Sequence, residues 1–292
     1  TVGGRADYFT ATEELVLSPR LNIEFFLNDD TNLHLGYGKH YQYPGYNLVY
    51  RDPDDLNRDL KAKFTHQFVV GIEHFLASDF RGSLEAFYKM YENLPTYYYW
   101  TNPKEEYPLP LKHRSHWINQ GEARSRGFEL FLQKKMTQNW HLLLSYAWSH
   151  SQAKDMRLFL TGSGSLNDKE RGGEWYDWDY DIRHQLTFIG GWKKKFHTEE
   201  WYKELKKKKW YRITSTLLGP LNPMADEVEM NVRFGYNSGR PYMERTYFPE
   251  LRDWVARENS DWNSQRFPEY DRLDFMFLKR WMLPTMNIVS YV

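Results

Sequence analysis

Apolar and polar residues alternate along this chain in one segment after another. Between residues 228 and 236 the even-numbered positions are apolar, whereas the odd-numbered positions are polar or glycine. Successive side chains of a β-strand point to opposite faces of a sheet. The segment therefore presents one face to an apolar medium, either a protein core or a lipid bilayer, and the other face to water.

The same period of two predicts nine strands and the beginning of a tenth near Asn287. The alternating segments lie at residues 21–27, 33–37, 64–72, 84–90, 128–132, 140–148, 183–192, 228–236 and 273–277. Short turns at 28–31, 77–79 and 136–139 alternate with long connections around 43–57, 93–112, 153–180 and 241–254. Outer-membrane barrels combine short periplasmic turns with long extracellular loops. The rhythm therefore predicts an all-β fold, an antiparallel up-and-down transmembrane β-barrel to which this chain contributes about ten strands.

Two properties of the predicted outer faces favour lipid over a protein core. These faces carry no Asp, Glu or Arg, and a charge at the bilayer centre costs about 2–4 kcal/mol in a barrel wall. Trp140 and Trp148 bracket the sixth strand, and the tilted strand between them rises roughly 19 Å, close to the spacing of aromatic girdles. We assign to the lipid-facing girdle Trp140, Tyr146, Trp148 and Tyr236.

The composition narrows the classes of function. The chain holds 39 basic and 39 acidic residues, so no net field attracts nucleic acid and no nucleic-acid partner is expected. It has no cysteine, which excludes disulfides and thiolate chemistry. No apolar stretch approaches the ~20 residues of a membrane-spanning helix. Aromatic residues make up 18% of the chain, a content that suits both barrel girdles and carbohydrate-binding surfaces.

Several segments resemble TonB-dependent outer-membrane receptors. SPRLNIEFFLNDDTNLHLGYGKHYQYP is similar to a mid-barrel strand pair of that family. Four later segments resemble the family in the same order: NQGEARSRGFELFLQKK, DIRHQLTFIGGW, GYNSGRPY and FPEYDRLDFMFLKRW. The resemblance implies a barrel of about 22 strands around an N-terminal plug domain, in the outer membrane of a Gram-negative bacterium.

The resemblance also implies active transport of a scarce nutrient, such as a siderophore or a carbohydrate. The implied partners are the outer-membrane lipid, the nutrient ligand, the TonB–ExbB–ExbD system acting through the plug, and a surface lipoprotein. No cofactor and no enzymatic activity are implied. The chain lacks a plug, a TonB box and an aromatic final strand, so residues 1–292 are predicted to be part of the barrel domain. A soluble β-rich glycan-binding module and a passive outer-membrane porin remain open alternatives.

Aromatic residues of the predicted extracellular loops are candidate ligand contacts. Their rings could stack on sugars or on aromatic groups of a siderophore, or could pack loop against loop. These residues are Tyr97, Tyr98, Tyr99, Trp100, Trp175, Trp178 and Trp254. A second set is predicted to face the lumen, where cross-strand charge pairs would stabilise a wet wall. This set comprises Glu129, Arg183, Glu229, Arg233 and Asp274.

Four carboxylates fall within residues 174–181. Oxygen ligands at alternating positions could hold Ca²⁺, here Asp177, Asp179 and Asp181, but the spacing is not that of an EF-hand. The interpretation that we favour is an acidic loop that closes onto Arg183 or neighbouring arginines. No other metal site is predicted.

One connection is long on the side where turns should be short. Residues 194–226 form a basic insertion on the predicted periplasmic side, and charges at four-residue spacing are compatible with a short helix. A solvated insertion is one interpretation. Contact with anionic lipid or with a periplasmic partner, anchored by Trp201 and Trp210, is the other.

Overall fold

The computed structural model describes residues 1–50, 56–98, 116–154, 174–218, 225–249, 253–256, 263–282 and 286–292. The strands are β1 (Val2–Phe9), β2 (Glu14–Asn28), β3 (Thr31–Gln42), β4 (Lys63–Ala77), β5 (Phe80–Tyr98), β6 (His116–Thr137), β7 (Trp140–Lys154), β8 (Tyr176–Asp177), β9 (His184–Lys195), β10 (Glu227–Asn237), β11 (Pro241–Tyr242), β12 (Arg245–Phe248), β13 (Asp253–Ala256), β14 (Gln265–Arg266), β15 (Tyr270–Met282) and β16 (Asn287–Tyr291). The helices are α1 (Tyr46–Val49), α2 (Glu200–Lys207) and α3 (Lys209–Leu218), with 3-10 turns at Leu56–Asp59 and Phe196–Thr198.

One antiparallel sheet dominates the described part of the chain. Its strands follow each other in the order β1-β2-β3-β4-β5-β6-β7-β9-β10-β15-β16, with the short β8 paired to β7. Two small hairpin pairs, β11 with β14 and β12 with β13, lie in the connection between β10 and β15. The up-and-down antiparallel architecture predicted from the alternation is therefore confirmed. The two ends of the sheet, β1 and β16, are not paired to each other within these residues, so the wall is open.

The first strand is the element that the sequence pattern did not predict. β1 pairs along its length with β2, from Val2 opposite Leu21 to Phe9 opposite Glu14. Two of the four positions on its outer face are Gly4 and Ala6, so the apolar signal of the alternation is faint there. The β1–β2 turn is also short although it lies on the side of the long loops, so the alternation of loop lengths is not strict.

The strand register carries the apolar residues across the sheet on one face. Leu144 lies opposite Leu132 on β6 and Phe188 on β9. Several residues of this outer face are unusually exposed for their size, including Phe275 at 70% and Leu273 at 54%. A contiguous apolar face of this extent does not occur on water-soluble monomers. The wall therefore needs an apolar medium against it, and a protein core does not supply one in the described residues.

Charged side chains occupy outward-facing positions of the strands only near the strand ends. Lys134, next to the β6–β7 turn, is 6% exposed, and its ammonium group lies 3.0 Å from the Asp79 carboxylate. Hydrogen bonds from the Thr137 hydroxyl, which has the larger effect, and from the Lys134 ammonium group lower the pKa of the Asp79 carboxyl group. Arg126, opposite Tyr88 and His150, has the same parity near the other rim. The middle of the outer face carries no charged side chain in the described residues, a pattern that a lipid-facing wall would require.

The basic insertion forms two short helices, α2 and α3, between β9 and β10. No helix in the described ranges is long and apolar enough to cross a membrane. The insertion begins with the 3-10 turn Phe196–Thr198, and the backbone N–H of His197 donates to the carbonyl of Asp226 at 3.1 Å. This bond closes the base of the insertion beside the start of β10.

The two faces of β7 provide a test of the wall. Leu144 points outward between two apolar neighbours, whereas Ser145 lines an inner concavity with Glu129. Leu144→Arg should lower the free energy of unfolding by about 2–4 kcal/mol. Ser145→Arg should stay within about 0.5 kcal/mol of the parent. Denaturant unfolding of the complete protein in phospholipid vesicles measures both, and equal effects would contradict the assignment of the faces.

A glycine pair tests the packing of adjacent strands. A Cβ atom at Gly127 would lie 2.2 Å from the Trp148 carbonyl oxygen and 2.8 Å from the Phe87 ring, whereas one at Gly235 would meet nothing within 4 Å. Both glycines face inward, so Gly235→Ala is a matched control. Gly127→Ala should cost about 1–3 kcal/mol through forced separation of β6 and β7, measured by the same unfolding assay. A Gly235→Ala protein as unstable as the Gly127→Ala protein would refute this explanation.

Candidate functional site

The inner face of the wall carries a row of ionisable residues. Glu24 lies opposite His34, His34 opposite Gly71, Gly71 opposite Glu85, and Glu85 opposite Glu129. A concavity of about 580 Å³ contains Glu24, His34 and Glu85, and a second of about 370 Å³ extends it to Glu129. The row therefore forms a negatively charged, concave surface on the wet side of the sheet.

Gly71 makes room for the histidine in this row. A Cβ atom there would lie 2.2 Å from His34 Nε2 and 2.8 Å from Glu85 Cγ. Without it, the His34 ring reaches across β4 to lie 3.5 Å from the Glu85 carboxylate. Glu85 and Glu129 face each other directly, an arrangement that destabilises a sheet unless a positive charge lies near. The His34 ring lies beside Glu85 in this row.

A second cluster of charges stands at the rim that carries the long loops. Asp181 is fully buried; its carboxylate accepts from the Ser151 backbone N–H at 2.6 Å and from Arg183 Nε at 2.9 Å, and also from Arg266. Asp177 accepts from Arg183 at 2.9 Å and from Arg266 at 2.8 Å. Two carboxylates and two guanidinium groups thus neutralise each other. We call these four residues, Asp177, Asp181, Arg183 and Arg266, the rim cluster.

The rim cluster joins segments that are far apart in sequence. Arg266 belongs to β14, in the loop that follows β10, whereas Asp181 belongs to the loop that precedes β9. Burial by itself would lower the pKa of Arg266, but the hydrogen-bonded carboxylates of Asp181 and Asp177 outweigh this effect and raise it. His150 adds a contact from β7, with its Nε2 3.0 Å from the Asp177 carboxylate. The cluster therefore fastens two loops of the long-loop rim to the wall.

The three aspartates considered as Ca²⁺ ligands do not act together here. Asp177 and Asp181 belong to the rim cluster, so a cation would have to displace two arginines. The exposed Asp179 instead accepts a hydrogen bond from the Asn263 amide at 2.6 Å. Across the described ranges, no three His, Asp or Glu side chains are grouped as metal ligands would be.

Two of the candidate ligand aromatics make contacts within the protein. Trp178 meets Tyr91 edge-on at 5.5 Å, beside a small buried cluster of Leu94, Ala123, Ala153 and Tyr176. Trp175 lies beneath the Arg124 guanidinium, 4.2 Å from the ring centroid. Tyr180, which the sequence did not single out, is 66% exposed and packs edge-on against Trp178 at 5.2 Å. Trp178 thus supports the exposed ring of Tyr180 at the rim.

The other candidate ligand aromatics are only partly covered by the structure. Tyr97 and Tyr98 end β5, opposite Trp117 and His116, and Trp254 lies on β13 opposite Tyr247. Tyr99 and Trp100 lie outside the described residues. The contribution of all seven aromatics to ligand binding stays a prediction.

The predicted lumen-facing set divides between wall and rim. Glu129 belongs to the inner row, and Glu229 lies 3.6 Å from the Lys193 ammonium group. Arg233 lies opposite Asp274 in the register of β10 and β15, and Asp274 accepts from Arg272 at 2.9 Å. Arg183 precedes β9 and lies in the rim cluster. The cross-strand pairing of Arg233 with Asp274 could be anticipated only once the register was known.

The four girdle residues share one face of the sheet. Trp140 lies opposite Trp192, and the Lys134 ammonium group is 4.3 Å from the Trp140 ring centroid. At the other end, Trp148 stacks on Phe128 at 5.9 Å. Tyr146 hydroxyl and His184 Nδ1 are 2.9 Å apart. Tyr236 lies opposite Leu186 on β9. Contact of these rings with lipid stays a prediction.

The rim cluster yields a prediction about loop attachment. Asp181→Asn keeps the side-chain shape but leaves Arg183 and Arg266 short of a counter-charge, which should cost about 1–3 kcal/mol. Amide hydrogen exchange of residues 176–183 should accelerate, since Ser151 loses its charged acceptor. Asp179→Asn is the control, because Asp179 is exposed and hydrogen-bonded only to Asn263 among the contacts seen. Unchanged exchange in Asp181→Asn would show that the cluster does not hold the loop.

The chain resembles known proteins in sequence and in fold. The family model described as TonB dependent receptor-like, beta-barrel matches residues 1–281. No curated protein sequence matches the chain significantly. Solved structures with the same fold include the pyoverdine receptor FpvA from Pseudomonas aeruginosa PAO1, with a TM-score of 0.54 and 14% identity over 90% of this chain and 29% of FpvA.

Two further solved structures have the same fold as this chain. The FrpB iron transporter from Neisseria meningitidis has a TM-score of 0.53 and 11% identity over 95% of this chain and 34% of FrpB. The siderophore receptor PiuA from Acinetobacter baumannii has a TM-score of 0.53 and 14% identity over 91% of this chain and 30% of PiuA. The chain thus spans about a third of the length of these structures. With a family match over nearly its whole length, the chain belongs to the TonB-dependent receptor family, in the β-barrel domain.

Proposed function

We propose that the protein is an outer-membrane receptor that binds a scarce nutrient and imports it with energy from the TonB–ExbB–ExbD system. The observation that carries the proposal is the two-faced wall: a continuous antiparallel sheet with an uncharged apolar outer face and a polar inner face. Such a sheet suits a barrel in the outer membrane of a Gram-negative bacterium, because its edges can pair only by closure. Its family is one of transporters and not of enzymes.

The substrate that we propose is a ferric siderophore. FpvA is described as bound to pyoverdine, PiuA as a siderophore receptor and FrpB as an iron transporter. In this chain, the exposed Tyr180 ring and the loops fastened by the rim cluster form a firm surface on the side where ligands arrive. An aromatic ring on a fixed loop can stack on the planar groups of a chelator at little entropic cost.

The inner row has a different role in the proposal. Glu24, Glu85 and Glu129 make the wall negative midway along the strands, below the rim. A barrel of this family encloses a plug, and a charged concave wall offers it hydrogen-bonding partners that water can replace when the plug moves. We propose this row as a contact surface for the plug of the complete receptor.

Uptake measurements test the transport function. Deleting the complete gene from its host should abolish accumulation of at least one radio-iron-loaded siderophore from a panel, and restoring the gene should restore it. Collapse of the proton-motive force should stop accumulation while binding at the cell surface persists, because energy is needed only for import. Accumulation that persists without the proton-motive force would favour a passive porin. Binding of oligosaccharides but of no ferric siderophore would overturn the proposed substrate.

A further inference from the structure

The basic insertion lies at the periplasmic end of the wall. Nine Lys or Arg and only three Glu fall between residues 193 and 212, a larger excess of positive charge than a solvated connection needs. The segment folds as α2 and α3, so these charges are displayed on a fixed scaffold. Which side of the wall the scaffold occupies determines what it can meet.

Two ion pairs attach the insertion to the outer side of the wall. Lys194 lies two residues after Trp192 and therefore points to the same, outer face of the sheet. Its ammonium group lies 2.5 Å from the Glu199 carboxylate at the start of α2. Asp226 has the parity of Val228, also on the outer face, and its carboxylate bonds to Lys206 of α2 and to the Met282 N–H at 2.7 Å. Both anchors share the outward parity, so these ion pairs tie α2 to outward-facing side chains at the base of β9 and β10.

Burial along β10 agrees with this placement. Asp226 and Val228 are 1% and 8% exposed, whereas Met230, the next outward residue, is 51% exposed. The cover on the outer face stops before Met230; the inward-facing Glu227 is also buried, at 4% exposed, and pairs with Lys193 and Arg280. Met230 lies opposite Trp192, which lies opposite Trp140. The insertion therefore ends just below the lower aromatic girdle, at the level where lipid headgroups begin.

The two helices form a small unit with its own core. Tyr202 is 1% exposed, and its hydroxyl lies 3.2 Å from the hydroxyl of Tyr211, which is also buried. Burial, followed by the hydrogen bond with Tyr211, raises the pKa of Tyr202. Phe196 packs against Tyr202 with 6.1 Å between ring centroids. The helices are thus held to each other as well as to the wall.

The outward surface of this unit combines apolar rings with lysines. Trp201, Trp210 and Ile213 are 51%, 57% and 51% exposed. The exposed lysines of the same stretch are Lys203, Lys207, Lys208 and Lys209, of which Lys203 pairs with Glu200 and Lys207 with Glu204. Trp and Lys together are the side chains that favour a membrane–water interface, where rings enter the acyl boundary and ammonium groups remain among phosphates.

We propose that the α2–α3 unit binds the anionic phospholipid surface of the leaflet on the periplasmic side. Two arguments favour lipid over a protein partner: the unit adjoins the lipid-facing wall just below its girdle, and its excess of lysine complements anionic headgroups. Each basic residue near an anionic surface contributes a preference of roughly fivefold. The inference rests on the membrane location proposed above and adds a specific lipid contact to it.

The absence of cysteine from the chain makes a site-specific probe possible. The complete receptor with Ile213→Cys, labelled with an environment-sensitive fluorophore, is folded into vesicles of phosphatidylcholine and into the same vesicles containing phosphatidylglycerol. The fluorophore should move into a less polar environment when phosphatidylglycerol is present, and added salt should reverse the shift. A second variant with the probe at Tyr180→Cys, on the opposite rim, should not respond to the anionic lipid.

Charge reversal identifies the residues responsible. Lys207→Glu, Lys208→Glu and Lys209→Glu together should lower the docked fraction at position 213 by roughly fivefold or more. Lys61→Glu, an exposed lysine on the other side of the membrane, is the matched control and should change nothing. Resistance of the wall to protease reports insertion separately, so failure to enter vesicles would count against the membrane location and not against the lipid contact.

Three results would overturn the proposal. The first is an inserted protein whose probe at position 213 reads the same in neutral and anionic vesicles. The second is a response to anionic lipid that survives the triple charge reversal. If the probe becomes protected only when periplasmic extract is added, the surface binds a protein partner instead of lipid.

Discussion

Continuous backbone hydrogen bonding between neighbouring strands is the constraint on which the rest of this structure depends. In an apolar medium, each N–H and C=O must find a partner within the protein, and a sheet provides one on the adjacent strand. The register that satisfies the backbone also fixes where each side chain points, because the side-chain period is two. Leu144 therefore meets Leu132 and Phe188, while its neighbour Ser145 faces the charged inner row.

The two ends of the wall carry different attachments, loops at one end and a helical unit at the other. At the rim with long loops, the buried ion pair of Asp181 and Arg266 joins segments 85 residues apart and restricts the motion of both loops. At the other end, ion pairs of Lys194 and Asp226 connect a helical unit to the base of β9 and β10. Both attachments use charges just beyond the apolar band, where paired cations compensate the desolvation of the buried carboxylates of Asp181 and Asp226. The buried ionic contacts therefore lie at the two ends of the wall.

The parts predictable from sequence were those that depend on short-range periodicity. The nine strands and the short turns follow from alternation within a few residues. β1 was missed because Gly4 and Ala6 dilute its apolar face, so the signal fell below that of its neighbours. The charged row of Glu24, His34 and Glu85 was missed because each residue looks like an ordinary inward polar position until the register aligns them.

The candidate site residues divide in the same way, into those placed by local alternation and those placed by contacts between distant segments. Glu129 and Arg233 could be placed on a face from sequence, since facing is a local property. The contact of the acidic loop with Arg183 was predicted from sequence, whereas Arg266 could not be placed in the cluster, because it comes from a different loop. The sequence by itself determined that this chain makes a two-faced wall, because alternation acts between neighbouring residues. Only the tertiary structure decided which charges meet, and on which side of the wall the basic helices lie, since both depend on pairing between distant strands.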